Sequence, residues 1–264
     1  MGLMPRVTVV TPTLNAARYL DDCLRSVELQ RADLDVEHIV VDDGSTDGTI
    51  ERAIESGAKV IEGLRAGLYA AMNQGLALAT GEFVGVLNGD DYLYPHAITT
   101  LVAAMQRSHR PWAIGRLRWV NGAGTSLGEM APPPSRASSK VLASLGWNWM
   151  YHQTTYMRAD FWNDLGGFDT HYRINADFEL LLRARQRSAF ASVNELTASF
   201  RRHGANLSIT GPSSDSENDE IRLAYGPHSI ALGEAARLAA RCYINARNPR
   251  WALTKRLAAR RDPA

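Results

Sequence analysis

Two acidic clusters carry most of the chemistry that can be read from this chain. Asn88-Gly89-Asp90-Asp91 follows the apolar run Phe83–Leu87, and Asp42-Asp43-Gly44-Ser45-Thr46-Asp47 follows His38–Val41. Mg²⁺ and Mn²⁺ take oxygen ligands, often only one or two carboxylates, and substrate phosphates complete the shell. An Asp-Asp pair at a strand end therefore suits a metal-bound diphosphate. It equally suits a plain turn, with Asp91 starting it and Asp90 solvated. A carboxylate in the earlier cluster can accept from a ribose hydroxyl or a base N–H, while Ser45, Thr46 and Asp47 supply helix caps. Those two roles are compatible.

The elements that must position these clusters alternate. Val7–Thr11, His38–Val41, Val60-Ile61 and Phe83–Leu87 read as buried strands, and helices are expected from Asn15 to Gln30, up to Glu55, over Leu68–Leu78 and from Pro95 to Gln106. Such alternation implies right-handed crossovers, a mostly parallel α/β sheet, and ligands beyond the carboxyl ends of its strands. Thr11–Asn15, Asp42-Asp43 and Asn88–Asp91 all fall at those ends. Farther on, Asn121–Ser139 and Gly211–Asn218 read as loops, and His152–Arg158, Phe190–Val193 and Leu196–Arg202 as strands. Ala159–Leu165, Asp177–Arg187 and the chain from about Ile230 read as helices.

Five segments in register give this pattern a family likeness. Thr11-Pro-Thr-Leu-Asn15, Val41–Thr49, Gly67–Gly75, Ala79–Glu82 and Leu87–Asp91 resemble the motifs of family 2 glycosyltransferases, in particular bacterial enzymes of cell-surface polysaccharide and glycolipid synthesis. The resemblance implies the GT-A fold, a Rossmann-like sheet flanked by helices, here with a C-terminal helical extension. It further implies metal-dependent, inverting transfer of a sugar from a UDP-, GDP- or dTDP-sugar to a glycan or lipid-linked hydroxyl. Carried over by position, Thr11, Thr13, Asp43, Asn73, Asn88 and Asp90 hold the donor, and Asp90 binds Mn²⁺ or Mg²⁺. Asn88 stands where the family's metal motif begins with Asp, and Ala70 stands at another usual Asp.

Gly166-Gly-Phe-Asp169 precedes Tyr172–Glu179, and by the same resemblance Asp177 is the catalytic base, with Ala176 replacing the first acid of the pair. An inverting transfer needs such a carboxylate to take the acceptor's proton. On position alone Asp177 equally suits a helix cap. His203 becomes a metal candidate, Asp91 and His152 acceptor-side candidates, and Arg201 and Arg202 diphosphate partners.

Composition narrows the alternatives. A chain of 264 residues, 45% apolar and 22% charged, is ordinary for a globular domain, and two Cys exclude a disulfide framework or a cysteine-built zinc site. Met1–Thr13 lacks the features of a secretory signal, so a cytoplasmic setting is expected. From Arg237 onward eight basic residues face one acid, giving the tail +7 and leaving −6 on the rest of a chain of net charge +1. A basic end on an acidic body argues against nucleic acid and suits peripheral contact with an anionic membrane surface; the same apolar residues equally suit packing on the sheet. We divide the chain into a nucleotide-sugar half (1–110), an acceptor half (111–228) and a basic amphipathic tail (229–264). Two other readings compete: a nucleotidylyltransferase, which wants a Gly-rich, basic loop after the first strand where this chain has Thr11–Asn15, and a non-catalytic sugar-nucleotide-binding module.

Overall fold

The computed structural model describes residues 4–145, 148–207, 215–227 and 230–247. In its first part β1 (Arg6–Thr13), β2 (Asp35–Asp42), β3 (Lys59–Glu62) and β4 (Phe83–Val86) alternate with α1 (Ala17–Glu28), α2 (Thr49–Glu55) and α3 (Leu68–Ala77). Then come α4 (Ala97–Ser108), β5 (Trp112–Asn121), β6 (Ser126–Met130), α5 (Ser139–Ala143), β7 (Thr155–Arg158), α6 (Ala159–Leu165), α7 (Ala176–Arg187), β8 (Ala191–Arg202), α8 (Asp215–Tyr225) and α9 (Ile230–Arg247).

The strands form one sheet in the order β3-β2-β1-β4-β7-β5-β6, with β8 on the other edge of β5. β1 pairs in parallel with β2 and β4, β2 with β3, and β5 with β8. β7 runs against both β4 and β5, and β6 against β5. All strands except β6 and β7 therefore point the same way, and their carboxyl ends share one rim. Helices cover both faces of β1 and β2, which explains their unbroken apolar runs: Val7, Val9, Val10, Ile39, Val40 and Val41 are all fully buried. Gly75 lets α3 sit close on this sheet, because a Cβ there would lie 2.4 Å from Val10 Cγ1 and 2.9 Å from Val41 Cγ2.

Four expected elements come out differently. Asn15 does not cap α1. It adopts a left-handed φ of 51°, and the first N–H groups of the helix are held from the next loop, Ala16 by Thr49 Oγ1 and Ala17 by Asp47 Oδ2. The segment Asn121–Ser139 contains β6, because Leu117–Val120 and Ser126–Met130 pair across a short turn. Phe190–Val193 and Leu196–Arg202 join into the continuous β8, bulged where its register on β5 shifts. The described part of Gly211–Asn218 opens α8 instead of extending a loop.

The helix expected from Ile230 is present, and Tyr243 packs its ring against Trp149 at 5.7 Å while Arg237 Nε donates to the Ser144 carbonyl. Leu238 on the same helix is 67% exposed. The remainder of the basic tail, including Pro249, Trp251 and Arg250–Arg261, lies outside the described residues. No described helix is long and apolar enough to cross a membrane.

Candidate active site

Each acidic pair on the rim is split by burial. Asp42 is buried, and it accepts from Gly44 N, Ser45 N, Ser45 Oγ and Thr13 Oγ1 at 2.6–3.0 Å. It builds the turn, and Asp43 is left half-buried at the rim, accepting from Arg65 N at 3.1 Å. Likewise Asp91 is fully buried and accepts from Arg201 N at 2.7 Å and Gln153 Nε2 at 2.8 Å, while Asp90 remains half-buried. Burial, then the neighbouring Asp90 charge, pushes the Asp91 carboxyl well above the usual carboxylate range. The acceptor-side role expected for Asp91 is therefore corrected: it holds β8 to the Asn88–Asp91 turn and faces no substrate.

Asp90 meets His203 across the rim. Its Oδ2 lies 2.9 Å from His203 Nε2 and 3.2 Å from Asn206 Nδ2, and the Asp90 and His203 side chains are 26% and 15% exposed. Asn206 Oδ1 accepts from His203 N, and Tyr19 stacks on the imidazole at 4.8 Å, so the histidine is held on two sides. Arg201 supports the same turn from beneath. It is 3% exposed, donates from Nε to the Asp90 carbonyl and pairs with Asp22, with Tyr19 under its guanidinium at 4.7 Å. That burial corrects its expected place at a diphosphate. Arg202 is exposed.

Asp177 sits in the first turn of α7, 7% exposed. Its Oδ1 accepts from Tyr69 Oη at 3.2 Å and Phe178 N at 2.8 Å, and its Oδ2 accepts from Asn148 Nδ2 at 3.0 Å. His152 Nδ1 lies 3.0 Å from the same Oδ2, and Nε2 lies 3.2 Å from Asn88 Oδ1. Asn88 Nδ2 in turn faces Asp91 Oδ2 at 3.4 Å. The chain Asp177–His152–Asn88 thus links the acidic residue of α7 to the turn that presents Asp90.

Three of the expected donor residues turn elsewhere. Thr11 is fully buried, with its hydroxyl 2.9 Å from His38 Nε2, and Thr13 gives its hydroxyl to Asp42. Neither side chain faces the rim. Asn73 makes a two-way amide pair with Phe168, accepting from its N–H at 2.9 Å and donating to its carbonyl at 2.8 Å. It fastens the Gly166–Asp169 turn to α3, and Gly167, at φ 81°, has no room for a Cβ beside the Asn73 amide.

Several residues of the site were not among those expected from the sequence. Tyr69 hydrogen-bonds both the Ile174 carbonyl and Asp177, and burial pushes its hydroxyl well above the usual tyrosine range. Asn148 comes from the segment before β7. Glu217, on α8, accepts from the backbone N–H groups of Arg173, Ile174 and Asn175 at 2.7–3.0 Å, the residues leading into α7. Only Tyr69 stood inside a motif; the others lie in stretches with no readable pattern.

Among the described residues no three His, Cys, Asp or Glu side chains converge on one point. Asp90 with His203 is nonetheless a chemically suitable donor pair, one oxygen and one nitrogen, for Mg²⁺ or Mn²⁺ that takes its remaining ligands from a diphosphate and water. No described residue hydrogen-bonds Asp90 Oδ1.

The chain is 27% identical over 222 residues to a PGL/p-HBAD biosynthesis glycosyltransferase of Mycobacterium tuberculosis, covering 76% of this chain and 78% of that one. Its fold matches S. aureus TarS 1–349 in complex with UDP-GlcNAc at a TM-score of 0.65 and 20% identity, over 88% of this chain and 70% of that one. Against another TarS chain it spans 42% of that chain's length. Glucosyl-3-phosphoglycerate synthase from Mycobacterium tuberculosis, crystallised with Mn²⁺, UDP and glucosyl-3-phosphoglycerate, matches at a TM-score of 0.55 and 21% identity, over 85% of this chain and 82% of that one. These neighbours share the GT-A fold found here, a largely parallel sheet between helices. Residues 8–172 match the description Glycosyl transferase family 2, and the chain belongs to that family.

Proposed function

We propose that this glycosyltransferase moves a sugar, with inversion, from a nucleoside diphosphate to a hydroxyl of a glycan or lipid-linked acceptor in envelope polysaccharide or glycolipid synthesis. One observation carries the reading: Asp90 with His203, and Asp177 with His152, stand on the same sheet rim and are joined through Asn88. Asp43, half-buried at the end of β2, accepts from the nucleoside in this reading. Asp90 and His203 would hold a divalent cation, which would supply positive charge against the departing diphosphate. Asp177 takes the proton of the acceptor hydroxyl as that oxygen attacks from the opposite face of the sugar. His152 and Tyr69 fix the carboxylate's orientation, and Asn148 is the donor an entering hydroxyl displaces from Oδ2. A relative named for PGL/p-HBAD biosynthesis and neighbours crystallised with UDP or UDP-GlcNAc support this reading. The tail from residue 229, basic and apolar by turns, fits peripheral attachment at the inner face of the plasma membrane.

The test is a panel of UDP-, GDP- and dTDP-sugars, read first as a thermal shift with Mn²⁺ or Mg²⁺ and then as donor turnover. One sugar nucleotide should stabilise the protein only with metal, and Asp90→Ala should remove that stabilisation. Asp177→Asn should keep it while turnover falls by roughly 10²–10⁴-fold. Stabilisation without turnover by any donor would favour the non-catalytic module, and release of pyrophosphate from a nucleoside triphosphate would favour the nucleotidylyltransferase.

A further inference from the structure

At the opposite rim of the sheet four arginines line one groove. Arg107 and Arg110 stand at and just beyond the end of α4, Arg136 in the segment before α5, and Arg185 near the end of α7, around a volume of about 740 Å³. Ser108, Ser135 and Ser192 add hydroxyls, and the start of β8 at Ala191 forms one wall. No carboxylate is among the lining residues. The arginine ion pairs of the described residues all involve other arginines.

Arginine near a helix end is often explained by the partial negative charge there. That accounts for Arg107 and Arg185 singly. It does not account for Arg136, which is on no helix, or for the gathering of the cations round one groove. Arg185 gives one N–H to the Ala137 carbonyl. Burial, then the Arg110 charge, holds its guanidinium below the usual arginine range, so the cations repel one another with no acid between them. An uncompensated arginine cluster with hydroxyls matches the oxygens of a phosphoryl group, which guanidinium forks engage in pairs. The volume exceeds that of a single phosphate.

We propose that this groove binds a phosphoryl anion, presented either as a free diphosphate or as an anionic phospholipid headgroup. It is distinct from the rim that carries Asp90 and Asp177: Asp177 and Arg185 lie eight positions apart on α7, about 12 Å along the helix.

The experiment uses the full chain in EDTA at low salt, so neither a metal nor a sugar donor takes part and the result is independent of the proposed reaction. Inorganic pyrophosphate is titrated by calorimetry, and sedimentation with phosphatidylglycerol vesicles is compared with phosphatidylcholine vesicles. The triple variant Arg107→Ala/Arg110→Ala/Arg136→Ala removes three exposed side chains and should bind at least 10-fold more weakly, while Asp90→Ala binds as the parent does. Loss confined to pyrophosphate identifies a soluble ligand, and loss confined to vesicles identifies a headgroup; each supports the site. Parent protein that binds neither probe, or a triple variant that binds both as tightly as the parent, overturns it. Should the triple variant fail to fold, Arg110→Glu alone decides by the same criteria.

Discussion

His152 and Asp177 are joined by a contact of 3.0 Å between Nδ1 and Oδ2, and both side chains are nearly buried, 11% and 10% exposed. The histidine comes from the short turn before β7 and the aspartate from the first turn of α7, so the contact ties an antiparallel strand to the helix across the rim. The other ring nitrogen holds Asn88. One imidazole thus sets the orientation of two side chains that the proposed reaction uses.

Removing that imidazole should act on orientation more than on binding. In His152→Ala, Oδ2 of Asp177 loses its contact with the ring and keeps the hydrogen bond from Asn148, and Asn88 Oδ1 loses its contact with the ring. Small misplacement of a reacting group costs up to roughly 100-fold in rate. We expect kcat to fall within that range while the Kd for the sugar nucleotide stays within a factor of about two, measured by steady-state kinetics and calorimetry on the same preparation. Imidazole added to the variant should recover part of the rate. Loss of donor binding in proportion to kcat would place His152 in the donor site instead.

Asn88→Asp, a return to the acidic residue usual in the resembled motif, should destabilise this chain. The amide nitrogen faces Asp91 Oδ2 at 3.4 Å, and Asp91 is fully buried. A carboxylate there exchanges a donor for an acceptor beside a group whose ionisation burial already opposes. Asp91 Oδ2 keeps its hydrogen bond from Gln153 Nε2, so the cost is one lost hydrogen bond with two acceptors brought together, about 1 kcal/mol, measurable as a lower urea midpoint at neutral pH. A midpoint equal to that of the parent would show that the Asn88–Asp91 contact has no energetic weight.

Glu217 offers a test of how α8 contributes to the site. Its carboxylate accepts from three successive backbone N–H groups, Arg173 to Asn175, immediately before the turn that carries Asp177. Such a site at a helix N-terminus favours negative charge. Glu217→Gln keeps one acceptor oxygen and loses the charge, while Glu217→Ala loses both. Transfer rate and thermal midpoint should both fall in the order parent, Gln, Ala, and hydrogen exchange at residues 173–175 should rise in the same order. Unchanged exchange in the Ala variant would remove Glu217 from any role in positioning α7.

The strand-helix alternation and the location of the rim were legible in the sequence because they rest on local signals: β-branched runs, turn residues and acidic pairs at strand ends. Which acid of each pair faces inward was not, since Asp42 and Asp91 are chosen by partners 29 and 110 residues away, Thr13 and Arg201. The same holds for Thr11, Thr13 and Asn73, whose motif positions are real but whose side chains fasten the scaffold. Asp177 could be found because a Gly-Gly-Phe-Asp segment stands before it. Glu217 and Asn148 could not, because each reaches the site only through tertiary packing. The split of Phe190–Arg202 into two strands failed for a similar reason: the bulge at Asn194-Glu195 breaks the apolar pattern, while pairing to β5 continues on both sides.

The pair Thr11–His38 predicts a pH dependence of stability. His38, on β2, is 6% exposed, with Nε2 2.9 Å from Thr11 Oγ1 on β1. Burial, and secondarily the charge of Arg31, pushes its imidazole from the ordinary 6.5 down to about 3. Above pH 6.5 the ring is neutral in both folded and unfolded chains and contributes nothing to the balance. As pH falls below that value the unfolded chain takes up a proton that the folded chain refuses, so stability drops, by at most about 1.4 kcal/mol per pH unit, until the folded ring protonates. His38→Gln retains a side chain able to bond Thr11 and removes this proton uptake. Urea unfolding at pH 7, 6 and 5 should therefore show the parent losing stability faster than the variant, with the gap opening below pH 6.5. Parallel curves over that range would mean that His38 is protonated equally in both states, contrary to its burial against Thr11.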